Sequence, residues 1–303
     1  MLGGTLSRST VELKSHSNDM LAGSLFMGRT DQLDALFYAK RARPPLVIWD
    51  PNRIDLQGGD LVAFFDHVAG LPSARGLPLA SAFDPTDAPG NQWLMLLEPT
   101  SFGTDFRYLQ YGQGIAEYFG SSLNGKLTSA LGGHISRFFI ALYRAAMHRR
   151  QCVLSEHEPP AEVFVRIWRR LIVPLVDDAG FVTRFAVLNI PENQMRAGLE
   201  VVPYPCIVAD RTRQVRFANT AARRFTGMEK PWTHRATLED VFRNGIDLPE
   251  QPEALVDETS QPFRQSVTLD LPGCCGTVCE VHVGAARYRA DTLFVISIMP
   301  PAR

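Results

Sequence analysis

Residues 205–227 read PCIVADRTRQVRFANTAARRFTG and decide the fold of the C-terminal third of this chain. The pattern predicts a strand over PCIVAD, a turn at RTR, a strand over QVRFAN and a short helix that ends at Gly227. Asn219 stands between the second strand and the helix, where an N-cap residue is expected. The order of strand, turn, strand and helix therefore predicts the start of an antiparallel sheet with a helix beside it.

The same order of elements occurs twice along the chain. Downstream of residue 227, the segments PFRQSVTLDL, TVCEVHVGAARY and TLFVISIMP predict three further strands. Upstream, WLMLLEPTS and FRYLQYG predict a hairpin, which is followed by a short helix, a long helix from about His134 to Arg149, and three strands. We therefore predict an α+β protein with two domains, each a five-stranded antiparallel sheet with helices on one face.

The length of 303 residues also favours two domains, at about 150 residues each. Residues 1–30 are polar and lack periodicity. Between the two copies, the segment PENQMRAG has little apolar content, which indicates a linker or a connecting helix. The expected division is a disordered lead-in over 1–30, an N-terminal helical segment packing on the first domain over 31–92, a first domain over 93–191, a linker over 192–198 and a second domain over 199–303.

The second copy resembles the opening of a PAS domain. Five residues stand where that pattern expects them: Asp210, Asn219, Ala222, Phe225 and Gly227. The first copy resembles a more divergent bacterial PAS type, through Phe106, Arg107, Tyr108, Gly112, Phe119, Gly120 and Gly125, and has Tyr111-Gly112 where the second copy has Asn219. The resemblance implies a sensor whose cavity holds a flavin, a haem, a metabolite or nothing, and whose output passes through dimer contacts.

Composition excludes several classes of protein. The 31 Lys and Arg residues balance the 32 Asp and Glu residues, so no global field attracts nucleic acid or an anionic membrane. No apolar run is long enough to cross a bilayer, and the first residues lack the apolar region of a secretory signal. Five cysteines, an odd number, do not suggest a disulfide framework. We therefore expect a cytoplasmic protein with reduced thiols.

The candidate metal ligands are Cys274, Cys275, Cys279 and His282. Cys279 and His282 lie three residues apart on one predicted strand, so their side chains point to opposite faces, which argues against zinc. Cys274 and Cys275 follow Gly273 at a predicted hairpin tip, where exposed thiols respond to redox changes. We expect no metal and treat the cysteines as structural, with a redox role as the alternative.

The candidate cofactor-binding residues are His134 and His148, which flank the long helix of the first copy. Haem-binding sensors of the resembled family place an axial histidine in this region. Neither histidine lies on the apolar stripe of the helix, so surface positions are favoured over haem ligation. Neither copy has a cysteine near the start of this helix for a flavin photoadduct. The cofactor stays unknown, with none favoured.

Catalytic motifs are missing from the sequence. It contains no phosphate-binding loop, no nucleophile elbow and no H-E-x-x-H metal site. We therefore predict a non-catalytic sensory or regulatory protein that acts in signal transduction through PAS-mediated protein contacts, with a small-molecule ligand left open. The alternative is a flavin- or haem-dependent redox sensor or enzyme that uses a PAS cavity.

Two further expectations concern contacts. One uncovered sheet face, together with the amphipathic segment from Leu61 to Val68 outside the first sheet, predicts a homodimer. The N-cap position of Asn219 predicts a cost of about 1 kcal/mol for Asn219→Ala and almost none for Asn219→Asp, because a carboxylate also caps a helix.

Overall fold

The computed structural model describes residues 18–56, 59–159, 163–227, 236–242, 245–250, 252–256, 262–269, 276–288 and 291–299. The chain divides into two compact units. The first comprises Met1–Ala116, Ser121–Glu158 and Ile167–Pro191, and the second comprises Glu117–Gly120, Pro159–Arg166 and Glu192–Arg303. None of the helices in the described part of the chain has the length and apolar character that crossing a membrane requires.

The first unit contains a six-stranded antiparallel sheet and a two-stranded ribbon. The strands are β1 (Leu46–Trp49), β2 (Ser73–Ala74), β3 (Leu77–Pro78), β4 (Leu94–Pro99), β5 (Phe106–Tyr111), β6 (Val153–His157), β7 (Ile167–Val176) and β8 (Val182–Glu192). The order across the large sheet is β1-β6-β7-β8-β4-β5, and β2 pairs with β3. The β7 and β8 strands therefore lie in the centre of the sheet, and each has a neighbouring strand on both sides.

Helices lie on both faces of this sheet. They are α1 (Asp31–Tyr38), α2 (Gly59–Ala69), α3 (Gln113–Phe119) and α4 (Gly133–Arg149), with short 3₁₀ turns at Asn91–Trp93 and Thr128–Leu131. Leu61, Phe64 and Val68 of α2 pack with Leu154 and Leu171 in one apolar core. On the other face, rings of α4 contact rings of the sheet, as in the pair of Tyr143 and Phe185 at a centroid distance of 5.6 Å.

The α+β class is confirmed, and three details of the first unit are corrected. The sheet has six strands rather than five, because LVIW directly after Pro44-Pro45 pairs with β6 in the register Leu46↔Glu156 to Trp49↔Val153. Helices cover both faces rather than one, since the apolar stripe of α2 needs burial. The segment over 31–92 thus contributes a sheet strand as well as helices.

The expected disordered lead-in is wrong for its described part. Residues 18–26 are helical, and Leu21 and Leu25 are buried. Arg144 forms a salt bridge of 2.6 Å with Asp19, so polar contacts also hold this helix. Residues 1–17 lie outside the described residues.

The second unit contains a five-stranded antiparallel sheet. Its strands are β9 (Cys206–Ala209), β10 (Val215–Ala218), β11 (Phe263–Thr268), β12 (Val278–Tyr288) and β13 (Asp291–Met299), in the order β10-β9-β13-β12-β11. Its helices are α5 (Gln194–Glu200) and α6 (Thr220–Thr226), with a 3₁₀ turn at Pro252–Leu255. The strand count and antiparallel pairing match the prediction for this copy.

Residues 192–198, expected as a linker, are largely helical. The side chain of Asn193 accepts a hydrogen bond from the backbone of Arg196 at 3.0 Å and caps α5. Met195 and Leu199 of this helix pack on a small core formed by Phe164, Val208, Phe217 and Leu293. Arg196 of this helix also stacks on the ring of Phe217, at 4.9 Å, so a charged side chain contributes to its packing.

Candidate functional site

A cluster of buried polar side chains lies on the face of the first sheet that α4 covers. We call this group the Arg170 cluster; its members are Tyr143, Ser155, Arg170 and Asn189. Their exposed fractions are 0%, 0%, 6% and 1%. Ser155 on β6 and Arg170 on β7 are directly paired across the two strands, so both side chains belong to the same face. A buried guanidinium thus lies at the centre of an otherwise aromatic core.

Arg170 has specific but incomplete contacts. Its Nε donates to Oδ1 of Asn189 at 3.1 Å, and its Nη1 lies 3.5 Å from the hydroxyl of Tyr143. Its guanidinium carbon stacks 3.7 Å from the centre of the Phe139 ring, a cation–π contact. A guanidinium has five N–H donors, and these two hydrogen bonds leave three without an acceptor among the described residues.

No anion in the described part of the chain balances this charge. Arg170 forms no salt bridge there, whereas its neighbour Arg169 points to the other face and binds Glu156 at 2.6 Å. Burial raises the pKa of Tyr143 above its usual value, and the pKa of Tyr111 is raised for the same reason. These phenols are therefore neutral at pH 7 and cannot act as counter-ions.

The hydroxyl of Ser155 adds a second unsatisfied group. It is fully buried and has no hydrogen-bond partner among the described residues. Because buried polar groups almost always have a partner, an unpaired hydroxyl beside unpaired guanidinium donors is unusual. The Arg170 cluster can therefore accept an oxygen-rich, negatively charged group.

A cleft reaches the same face of the sheet from the surface. It has a volume of about 240 Å³ and is lined by Arg43, Pro44, Pro45, Leu46, Glu156, His157, Glu158 and Ile167. The ring of His157 lies 5.0 Å from the ring of Phe139, on which Arg170 stacks. One histidine and one phenylalanine ring thus separate this cleft from the Arg170 cluster.

The core of the second unit has a different character. It is formed by apolar side chains and one cysteine: Ile207, Ala209, Val215, Ala218, Ala222, Leu238, Val241, Phe242, Ile246, Val267, Leu269, Cys279, Val281, Val283, Phe294, Ile296 and Ile298. None of these residues carries a charge. The Arg170 cluster therefore distinguishes the first sheet from the second.

The residues of the PAS pattern organise the start of the second unit. Asp210 accepts hydrogen bonds from Thr212 Oγ1 at 2.7 Å and from the backbone of Gln214 at 3.0 Å, which shapes the turn between β9 and β10. Asn219 caps α6, and Gly227 ends it with a φ of 71°. Phe225 packs against the core. The contacts of Asp210, Asn219, Phe225 and Gly227 therefore give these residues a structural role in the second unit.

The two candidate metal ligands that the structure describes, Cys279 and His282, do not converge. Cys279 is buried in the core, while His282 lies outside it and contacts Glu280 at 2.6 Å between Nε2 and Oε1. Among the described residues, no group of three or more His, Cys, Asp or Glu side chains is placed to hold a metal. Cys274 and Cys275 lie outside the described residues.

The described thiols are shielded. Burial raises the pKa of Cys152 to about 12, with a further contribution from Asp50, and burial also raises the pKa of Cys206 and of Cys279. A thiol with a raised pKa is protonated at pH 7 and reacts slowly. These three cysteines are therefore poorly suited to redox sensing.

The two candidate haem ligands are at opposite ends of α4. His134 packs edge-on against Phe37 of α1 at a centroid distance of 4.8 Å, and burial lowers its pKa, as does nearby Lys40. His148 is exposed and lines a surface cleft with Asp19 and Arg144. The structure brings neither histidine to the Arg170 cluster.

Sequence reasoning missed the Arg170 cluster. One signal was present: two consecutive arginines, Arg169 and Arg170, lie inside a strongly apolar predicted strand. Because neighbouring strand residues point to opposite faces, one of the two arginines must face the side of the sheet that helices cover. The apolar pattern does not indicate which of the two arginines faces α4.

Known proteins that are similar to this chain are found among solved structures. No protein-family profile and no curated protein matches the sequence. Among solved structures, the chain is similar to the PAS domain of nitrogen regulation protein NR(II) from Vibrio parahaemolyticus, at 17% identity and a TM-score of 0.29 over 36% of this chain and 99% of that chain.

Two other solved structures are also similar to this chain. The PAS domain of an HTR-like protein from Haloarcula marismortui is 13% identical, with a TM-score of 0.27, over 35% of this chain and 92% of that chain. The periplasmic sensory domain of the Campylobacter jejuni chemoreceptor Tlp1 is 8% identical, with a TM-score of 0.24, over 97% of this chain and 90% of that chain.

Proposed function

We propose that this chain is a non-catalytic, cytoplasmic sensory module of signal transduction. In this proposal a small molecule binds at the Arg170 cluster of the first unit, and protein contacts carry the response. The observation that supports the proposal is the buried guanidinium without a counter-ion among the described residues. Burial of an uncompensated charge opposes folding, so its presence in a packed core favours a binding role.

The apolar core of the second unit supports a different role for each of the two units. Among the described residues, its core consists of apolar side chains and one cysteine, and none of them carries a charge. In our proposal this unit transmits the signal rather than receives it. The alternative of a haem-dependent sensor has less support, because His134 and His148 lie away from the Arg170 cluster.

We further propose a homodimer as the signalling form. The segment Leu61 to Val68 does not support a dimer, because α2 buries its apolar stripe on the first sheet. Support comes instead from the N-terminal region, where Met20, Met27 and Tyr38 are more than half exposed. Sedimentation at micromolar concentration is expected to give a dimer.

Native mass spectrometry of the full chain, purified without denaturation, tests the sensory proposal. We expect a fraction of the protein to carry a bound small molecule that is lost in Arg170→Met. The matched control is Arg169→Met, which removes an adjacent arginine on the opposite face and should retain the molecule. A ligand that stays bound in Arg170→Met, or a bound haem or flavin, would contradict the proposal.

A further inference from the structure

We infer that the ligand of the Arg170 cluster is a small monocarboxylate with an apolar body. This inference rests on the proposed sensory function and adds the chemistry of the ligand. Three properties of the cluster carry it: the number of cations, the arrangement of donors, and the surrounding side chains.

The charge of the cluster fits a single negative charge. Arg170 is the one cation of the cluster as defined, and Ser155, Asn189 and Tyr143 are neutral. The nearby Arg169 is already paired with Glu156 on the other face. A phosphate dianion or a dicarboxylate would therefore bring an uncompensated negative charge into a buried site, whereas a monocarboxylate gives a neutral pair.

The donors fit a planar group. Asn189 uses Nε of Arg170, so the remaining N–H groups belong to the two terminal nitrogens. These nitrogens form the fork that binds a carboxylate through two parallel hydrogen bonds. Ser155, opposite Arg170 on the neighbouring strand, supplies a further hydroxyl without a partner among the described residues.

The surroundings fit an apolar body. The ring centroids of Phe139 and Tyr143 are 6.0 Å apart, and those of Tyr143 and Phe185 are 5.6 Å apart. Phe139 also covers one face of the guanidinium. Such a lining favours hydrocarbon over further polar groups, since each extra hydroxyl or amine would need a buried partner.

Thermal unfolding of the full chain with matched probes tests this inference. The probes are sodium propionate and sodium benzoate, each compared with its neutral amide, propionamide and benzamide, at constant ionic strength. Inorganic phosphate is the third anion. We expect at least one carboxylate to raise the Tm by about 2–4 °C at saturating concentration, and the amides and phosphate to have no effect.

The variants separate the site from a general salt effect. The shift should disappear in Arg170→Met and persist in Arg169→Met. Equal shifts by carboxylate and amide, a shift with phosphate alone, no shift with either carboxylate, or a shift that survives in Arg170→Met would each overturn the inference. A neutral molecule found in native mass spectrometry and lost in Arg170→Met would refute the carboxylate chemistry while leaving the sensory function intact.

Discussion

Asn219 connects three parts of the second unit through one fully buried side chain. Its Oδ1 accepts hydrogen bonds from the backbone of Cys206 at 2.9 Å and of Ala222 at 2.8 Å. Its Nδ2 lies within 3.1 Å of three carbonyl oxygens, those of Leu199, Val202 and Tyr204. The cap predicted from the sequence is confirmed, but the amide also ties the chain after α5 to the sheet.

These contacts reverse one expectation for substitutions at this position. Asn219→Ala leaves several backbone groups without partners and should cost about 2–4 kcal/mol. Asn219→Asp should cost at least as much, because it places a carboxylate oxygen against three carbonyl oxygens. Its penalty should decrease in acid, where the buried carboxyl is protonated. Urea unfolding of the full-length variants measures both effects.

Asn193 provides the control. It also caps a helix, but it is only partly buried and one of its contacts is the hydroxyl of Tyr288, at 3.1 Å. A hydroxyl can donate to a carboxylate, so Asn193→Asp should cost less than Asn219→Asp. If Asn219→Asp leaves the free energy of unfolding unchanged, the contacts of Nδ2 do not contribute to stability.

At the scale of elements, Gly112 lies between β5 and α3 in the first unit, at the position that corresponds to Asn219 between β10 and α6 in the second. Gly112 is buried, and its carbonyl accepts a hydrogen bond from Ala116 in α3. A Cβ atom at this position would overlap the backbone oxygen of Gln92 and lie 2.9 Å from its carbonyl carbon. The Tyr111-Gly112 departure from the pattern thus reflects the close approach of two backbone segments.

Gly112→Ala should therefore destabilise the first unit by about 3 kcal/mol, at the upper end of the cost of overpacking. Both neighbours are backbone atoms and cannot move away as a side chain would. Gly59→Ala, where no atom lies within 4 Å, should change stability by less than about 0.5 kcal/mol. Equal midpoints of thermal unfolding for the two variants would rule out the close approach.

The elements also show what sequence could predict. Strands with strong alternation and helices with caps, such as β10 and α6, follow directly from local patterns. Short or weakly apolar elements such as β1 and α5 do not, because tertiary pairing and packing stabilise them. The Arg170 cluster depends on the pairing of β6 with β7 and on the packing of α4, which local patterns do not specify.

At the scale of the whole molecule, the chain contains two antiparallel sheets of similar plan with different interiors. The first sheet encloses a charged and incompletely satisfied cluster, and the second encloses an apolar core. Cores are ordinarily selected for packing, so a charge in one of two related cores indicates a function other than stability. The proposed sensory function therefore depends on whether Arg170 binds a ligand or stabilises the fold.

The urea-induced unfolding of Arg170→Met in the full chain, without added ligand, tests this claim most directly. Methionine retains much of the volume and removes the buried charge, while Asn189 loses one hydrogen bond. We expect a free energy of unfolding within about 1 kcal/mol of the wild type, or higher, because the uncompensated charge is gone. A loss of about 3–5 kcal/mol would show that Arg170 stabilises the fold, and would contradict the assignment of the cluster as a binding site.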